Sequence, residues 1–132
     1  MGLARPGAVL SRVWLVWLMG AAPLPAAAAE DFLPPEQAFV VSAALVSAGR
    51  VAVRMHIVPG YYAYREPFRF SAVGATLGPA ELPAGKVKFD ENFQKNVETY
   101  RADLRIGLPV TQAAGPFTLT VVSQGCADAG LC

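Results

Sequence analysis

The chain has two cysteines, Cys126 and Cys132, six positions apart across Ala127-Asp128-Ala129-Gly130-Leu131. Asp, Ala and Gly are turn chemistry, and Gly130 can take a positive φ that a side chain would oppose. If the chain folds back near Ala129, the two cysteines face each other on adjacent strands. The even separation then puts both on compatible faces, within the Cα spacing that a disulfide tolerates. Such a pair has two uses. As a dithiol it passes two electrons to another protein, one thiolate attacking the partner's disulfide and the second thiol resolving the mixed disulfide. As a permanent bridge it closes a loop so short that it contributes only about 2–2.5 kcal/mol by chain entropy. Spacing alone leaves both open, and small exported domains more often use their disulfides structurally. A C-x-x-C motif is absent.

Other chemistries lack their residues. Two cysteines and the distant His56 fall short of a four-ligand zinc set, so no metal is expected. No G-x-S-x-G or glycine-rich phosphate loop occurs, which removes the usual serine-hydrolase and nucleotide signatures. His56 reads as a mid-strand residue rather than a general base. Asp128 reads either as a turn-forming side chain or as an influence on thiol ionisation.

The pair must be positioned by what lies upstream. Residues 1–29 open with Arg5 and Arg12, continue through the apolar run Val13-Trp14-Leu15-Val16-Trp17-Leu18-Met19, and end in Ala27-Ala28-Ala29. A basic start, a short apolar core and an A-x-A end make a cleavable secretory signal peptide. The apolar run is shorter than the roughly 20 residues that span a bilayer. Cleavage after Ala29 leaves a single domain, residues 30–132. Arg5 and Arg12 leave with the signal, so the eleven Lys and Arg of the chain fall to nine against ten Asp and Glu. A near-neutral domain without a basic run has no footprint for nucleic acid.

Within 30–132 the pattern is that of strands. Glu30 to Gln37, with Pro34-Pro35, reads as an extended lead-in. Phe39 to Val46 is an apolar strand ended by Ser47-Ala48-Gly49. In Arg50 to Val58, Val51, Val53, Met55 and Ile57 alternate with Ala52, Arg54, His56 and Val58, the period of two of a half-buried strand. Tyr61 to Arg65 and Phe68 to Phe70 are aromatic and extended, and Gly74 to Gly85 reads as loop with one short strand. From Thr99 to Val110, Tyr100, Ala102, Leu104, Ile106 and Leu108 alternate with Arg101, Asp103, Arg105 and Gly107. Gln112 to Pro116 is expected to turn the chain, and Phe117 to Val122 to return it toward Cys126. About seven short strands without an amphipathic helix predict an antiparallel β-sandwich.

Gln124-Gly125-Cys126-Ala127-Asp128-Ala129-Gly130-Leu131-Cys132 resembles the Q-G-C-A-D-A-G-x-C segment of the amino-terminal domain of the DsbD family, protein-disulfide reductases of the inner membrane of Gram-negative bacteria. Phe32 to Phe39, Gly60-Tyr61-Tyr62-Ala63-Tyr64-Arg65, Glu98-Thr99-Tyr100-Arg101 and Leu108-Pro109-Val110 resemble further stretches of that domain in the same order.

The resemblance implies an immunoglobulin-like sandwich and a redox-active Cys126–Cys132 disulfide that needs no separate cofactor. It implies that Cys132 attacks and Cys126 resolves. It implies a cap loop at Asp90 to Asn96, with Phe93 as lid and Glu91 and Asn92 beside it, and Tyr62 and Tyr64 supporting the site. The implied partners are a periplasmic disulfide isomerase and a thioredoxin-like protein of cytochrome c maturation. Electrons would come from membrane and thioredoxin-like domains of the same protein, and the chain is expected to continue beyond Cys132 into them. The rival expectation is an exported binding module of the same fold with a purely structural bridge.

Overall fold

The computed structural model describes residues 31–132 together with Gly2. Apart from Gly2, the segment read as a signal peptide lies outside the described residues, as does its cleavage site. Residues 31–132 form one compact unit. Its elements are α1 (Pro35–Ala38), β1 (Phe39–Ser47), β2 (Arg50–Ile57), β3 (Tyr61–Tyr64), β4 (Arg69–Leu77), β5 (Lys86–Asp90), β6 (Lys95–Tyr100), β7 (Ala102–Val122) and β8 (Gly125–Ala127). They pair antiparallel in two four-stranded sheets, β1-β2-β7-β4 and β5-β6-β3-β8, which is the antiparallel β-sandwich expected.

The core is built by the two alternating strands. In β2, Val51, Val53, Met55 and Ile57 are buried while Arg50, Arg54 and His56 are exposed. The β2–β7 register sets Val51 opposite Leu108, Val53 opposite Ile106 and Met55 opposite Leu104, so large apolar side chains meet directly across one face. Ala63, Phe68 and Tyr100 bring the second sheet and the chain between the sheets onto this cluster.

Five expectations are corrected. Pro35–Ala38 is a helical turn rather than extended chain: Pro35 occupies the first helical position, where its missing N–H costs nothing. The described residues hold eight strands rather than seven. The short strand expected within Gly74 to Gly85 is not a separate one: it is the end of β4, which pairs with β7 as far as Leu77. Gln112 to Pro116 does not reverse the chain. Val73 pairs with Thr118 and Ala75 with Ala113, so residues 114–117 bulge out opposite Gly74 within a single long strand.

The fifth correction concerns the stretch from Thr99 to Val110, which is two strands in different sheets. Tyr100 ends β6, and Ala102 takes a φ of 57°, a left-handed turn that swings the chain from the second sheet into the first. Ala102 is exposed rather than facing the core. No glycine marks this kink in the sequence. The kink matters because it leaves Arg101 in line with β6 at the edge of the functional face described next.

Candidate redox site

β3 is the strand that builds the site. Its alternation sends Ala63 into the main core and Tyr62 and Tyr64 to the other face of the sheet, where they form a second buried cluster with Val97 and Cys126. The β3–β8 register places Tyr62 directly opposite Cys126. Gly125, just before it, packs under the Phe39 ring so closely that any added Cβ would collide with the ring. This is why β8 lies flat enough against β3 to bury the neighbouring sulfur.

Cys126 and Cys132 are joined in a disulfide, with their Cα atoms 4.0 Å apart. They do not sit on two arms of a regular hairpin. Cys126 lies on β8, whereas Cys132 follows a turn in which the Gly130 N–H donates to the Ala127 carbonyl and the Ala127 N–H donates to the Leu131 carbonyl. Gly130 takes the positive φ expected of it, 111°. The two sulfurs therefore have unlike surroundings: Cys126 is 2% exposed, and Cys132 is exposed to solvent.

The residues expected to cap the pair lie beside Tyr64. Glu91 to Gln94 form a tight turn between β5 and β6. The Phe93 ring packs edge-on against Tyr64, with 5.5 Å between centroids, and remains half exposed. The Tyr64 hydroxyl oxygen lies 3.6 Å from Cys126 Sγ. Phe93, Tyr64, Tyr62 and Cys126 thus lie together. Glu91 contributes a backbone carbonyl that accepts from the Gln94 side chain, and Asn92 contributes its N–H. Neither of those two side chains makes a hydrogen bond among the described residues.

The residue that ties the loop to the sulfur is Asp90, which sequence reasoning passed over as part of a polar stretch. It is buried, and one carboxylate oxygen accepts the Tyr64 hydroxyl at 2.6 Å. The other accepts the Asn92 N–H at 2.9 Å and the Phe93 N–H at 3.1 Å. The bond from Tyr64 holds the Asp90 carboxyl below its usual range, helped by the two N–H groups and against the opposing effect of burial. Burial, then the bond to Asp90, pushes the Tyr64 hydroxyl up. Tyr64 therefore stays a donor at any physiological pH, and its single proton is committed to Asp90. The signal available in the sequence was an Asp followed two residues later by Asn, the spacing of a turn in which the carboxylate accepts backbone N–H groups.

Two cations complete the face. Lys88 Nζ lies 3.6 Å from the Tyr62 ring centroid and the Arg101 guanidinium 5.1 Å from it. Asp128, within the disulfide loop, is held by Arg101 rather than capping its own turn: its carboxylate accepts two guanidinium N–H groups at 2.6 and 3.0 Å. His56 is on the outer face of the other sheet, 2.9 Å from Asp103, and takes no part in this site. No group of His, Cys, Asp or Glu fit to hold a metal occurs among the described residues.

Comparison with known proteins places this geometry. The family model for the N-terminal part of the thiol:disulfide interchange protein DsbD matches residues 29–132, and the chain belongs to that family. It is 52% identical over 120 residues to the thiol:disulfide interchange protein DsbD of Ralstonia nicotianae, covering 89% of this chain and 20% of the relative. It is 42% identical to the Klebsiella pneumoniae protein of that description, covering 77% of this chain and 17% of the relative. The chain thus spans about a fifth of the length of the curated relatives it matches. The crystal structure of the Neisseria meningitidis DsbD N-terminal domain in the reduced form superposes with a TM-score of 0.68 at 35% identity, covering 76% of this chain and 80% of that one. A structure of the complex between the DsbD and PilB N-terminal domains from the same organism matches with a TM-score of 0.66 at 35% identity, covering 79% and 81%. The immunoglobulin-like sandwich expected from the resemblance is therefore the fold of this chain.

The Asp90 arrangement has a consequence for acid stability. Its folded pKa lies below the unfolded value, so its ionised form stabilises the fold above the ordinary carboxylate range. That contribution disappears as pH falls through the folded value. Asp90→Asn should lose less stability than the parent between pH 7 and pH 3 in denaturant titrations. Equal losses would show that the carboxylate does not hold the turn.

Proposed function

We propose that the domain performs thiol–disulfide exchange through Cys126 and Cys132, as a protein-disulfide reductase module of a longer protein. The observation that carries this reading is the unlike placement of the two sulfurs. A purely structural bridge needs no access, yet one sulfur here is buried against two tyrosines and the other lies open to solvent. Membership of the family supports the reading, as does the crystal structure of the related Neisseria domain in the reduced form.

In the dithiol state, the Cys132 thiolate attacks a disulfide sulfur of the partner. A mixed disulfide forms and the partner's other sulfur leaves as a thiolate. Cys126 then attacks Cys132, re-forming the internal disulfide and releasing the partner with both sulfurs reduced. Two electrons pass and no separate cofactor takes part. The order follows access: only the exposed sulfur is placed to meet another protein. Once reduced, the Cys126 thiol has an acceptor in the Tyr64 oxygen, whose own proton is engaged by Asp90. Phe93, seated on Tyr64 and tethered through its N–H to Asp90, acts as the cap over the pair, with Tyr62 and Tyr64 as its support. Glu91 and Asn92 form the rest of the turn.

The remaining expectations belong to the same proposal. Residues 1–29 would export the domain to the periplasm. There its partners would be a disulfide isomerase and a thioredoxin-like protein of cytochrome c maturation. A membrane domain and a thioredoxin-like domain of the same polypeptide would return electrons to it. The Neisseria domain, for its part, is found in complex with the N-terminal domain of PilB.

Trapping tests the chemistry. Cys126→Ala, unable to resolve, should accumulate a mixed disulfide with an oxidised thioredoxin-like protein on non-reducing gels. Cys132→Ala should trap none, and neither should turn over. Equal trapping by both, or turnover by either, would contradict the assignment. The cap is tested separately. Phe93→Ala should speed oxidation of the dithiol by a small oxidant, measured by loss of free thiol, and an unchanged rate would remove Phe93 from that role.

A further inference from the structure

We infer that Arg101 is a positioning residue for the disulfide loop, clamping its Cys126 side through Asp128 and so favouring closure of the Cys126–Cys132 bond. The inference rests on the exchange reading of that pair and assigns part of its redox equilibrium to a side chain outside the loop.

The loop is tied to the body of the domain from one side only. β8 pairs with β3 as far as Ala127, and the Asp128 N–H donates to the Gly60 carbonyl at 2.8 Å. Beyond Asp128, residues 129–132 are all exposed. Among the described residues, the backbone bonds that hold the return arm are the two within the loop itself. The Asp128 carboxylate is therefore the last side-chain anchor before Cys132.

Arg101 reaches that anchor from a fixed place. It follows the last residue of β6, just before the left-handed Ala102, whose φ of 57° turns the backbone away into the other sheet. Its guanidinium makes a two-pronged contact with Asp128, donates a further bond to the Tyr61 carbonyl at 3.2 Å, and lies over the Tyr62 ring. Tyr62 is the residue opposite Cys126 in the register. One planar cation thus links the strand exit, β3 and the start of the loop. Both partners are about half exposed, and a simple surface pair of that kind contributes little. Here, however, the guanidinium fork is held by four contacts, so less freedom is lost in making each.

In the oxidised chain the disulfide already fixes the return arm. In the dithiol only the clamp and the short turn keep Cys132 near Cys126. A clamp on Asp128 fixes the start of the turn that carries Cys132, and so raises the effective concentration of one thiol at the other. Removing it should therefore shift the equilibrium toward the dithiol, making the pair more oxidising.

The test is the equilibrium of the chain with mixtures of reduced and oxidised glutathione, read by counting thiols after acid quenching. Arg101→Gln and Asp128→Asn should each lower the constant for forming the internal disulfide about three- to tenfold, and tenfold in a two-electron couple is about 30 mV. The double variant should fall no further than the lower of the two singles, since both remove one interaction. Arg101→Lys, which keeps the charge and loses the fork, should lie between parent and Arg101→Gln. It carries the comparison if Arg101→Gln does not fold. Constants unchanged within twofold, or single effects that multiply in the double variant, would overturn the inference. Glutathione equilibration needs no protein partner, so failure of the domain to exchange with one would count against the proposed function alone.

Discussion

Everything at this site depends on keeping one sulfur of a joined pair inside the protein and the other outside it. A disulfide buried on both sides is inert, and one exposed on both sides is open to any passing oxidant or thiol once reduced. The fold solves this at the edge of a sheet. The β3–β8 pairing and the close approach of Gly125 to Phe39 bury Cys126. The turn through Gly130 then brings Cys132 back beside it without drawing it under the surface.

The same face shows how the loop beside the disulfide is fastened. The turn from Glu91 to Gln94 is fastened by one carboxylate that receives two backbone N–H groups and a tyrosine hydroxyl. Charge-assisted bonds of this type are about twice as strong as neutral ones, yet all three converge on Asp90. Displacing the Phe93 ring disrupts an aromatic contact and one N–H bond, leaving the Tyr64–Asp90 bond in place. Tyr64, which lies against Cys126, and the turn that carries Phe93 are thus tied to a single side chain.

Much of the framework was legible in the sequence because it follows from period two. Val51 to Ile57 and Leu104 to Val110 show their buried faces directly, and the turn chemistry between the cysteines foretold a chain that doubles back. What stayed hidden depends on pairing across long separations. The kink at Ala102 has no glycine to mark it, since the surrounding sheets impose it. The bulge at residues 114–117 looks like a turn because Gly115 and Pro116 favour one, but β4 holds both flanks. The pairing of Arg101 with Asp128 joins residues 27 positions apart, and only the register of β6, β3 and β8 brings them together. Asp90 was within reach of sequence reasoning, and its role was masked by the run of polar residues that follows it.

Exchange at this site requires the Cys126–Cys132 bond to be poised for transfer rather than to serve as a staple, and its reduction potential measures this most directly. Equilibration with glutathione should place it well above about −300 mV, in the range of exchange-active dithiols at about −270 to −120 mV. A potential below about −300 mV, with the oxidised protein unreactive toward reduced thioredoxin-like proteins, would contradict the account and leave the bond a structural one.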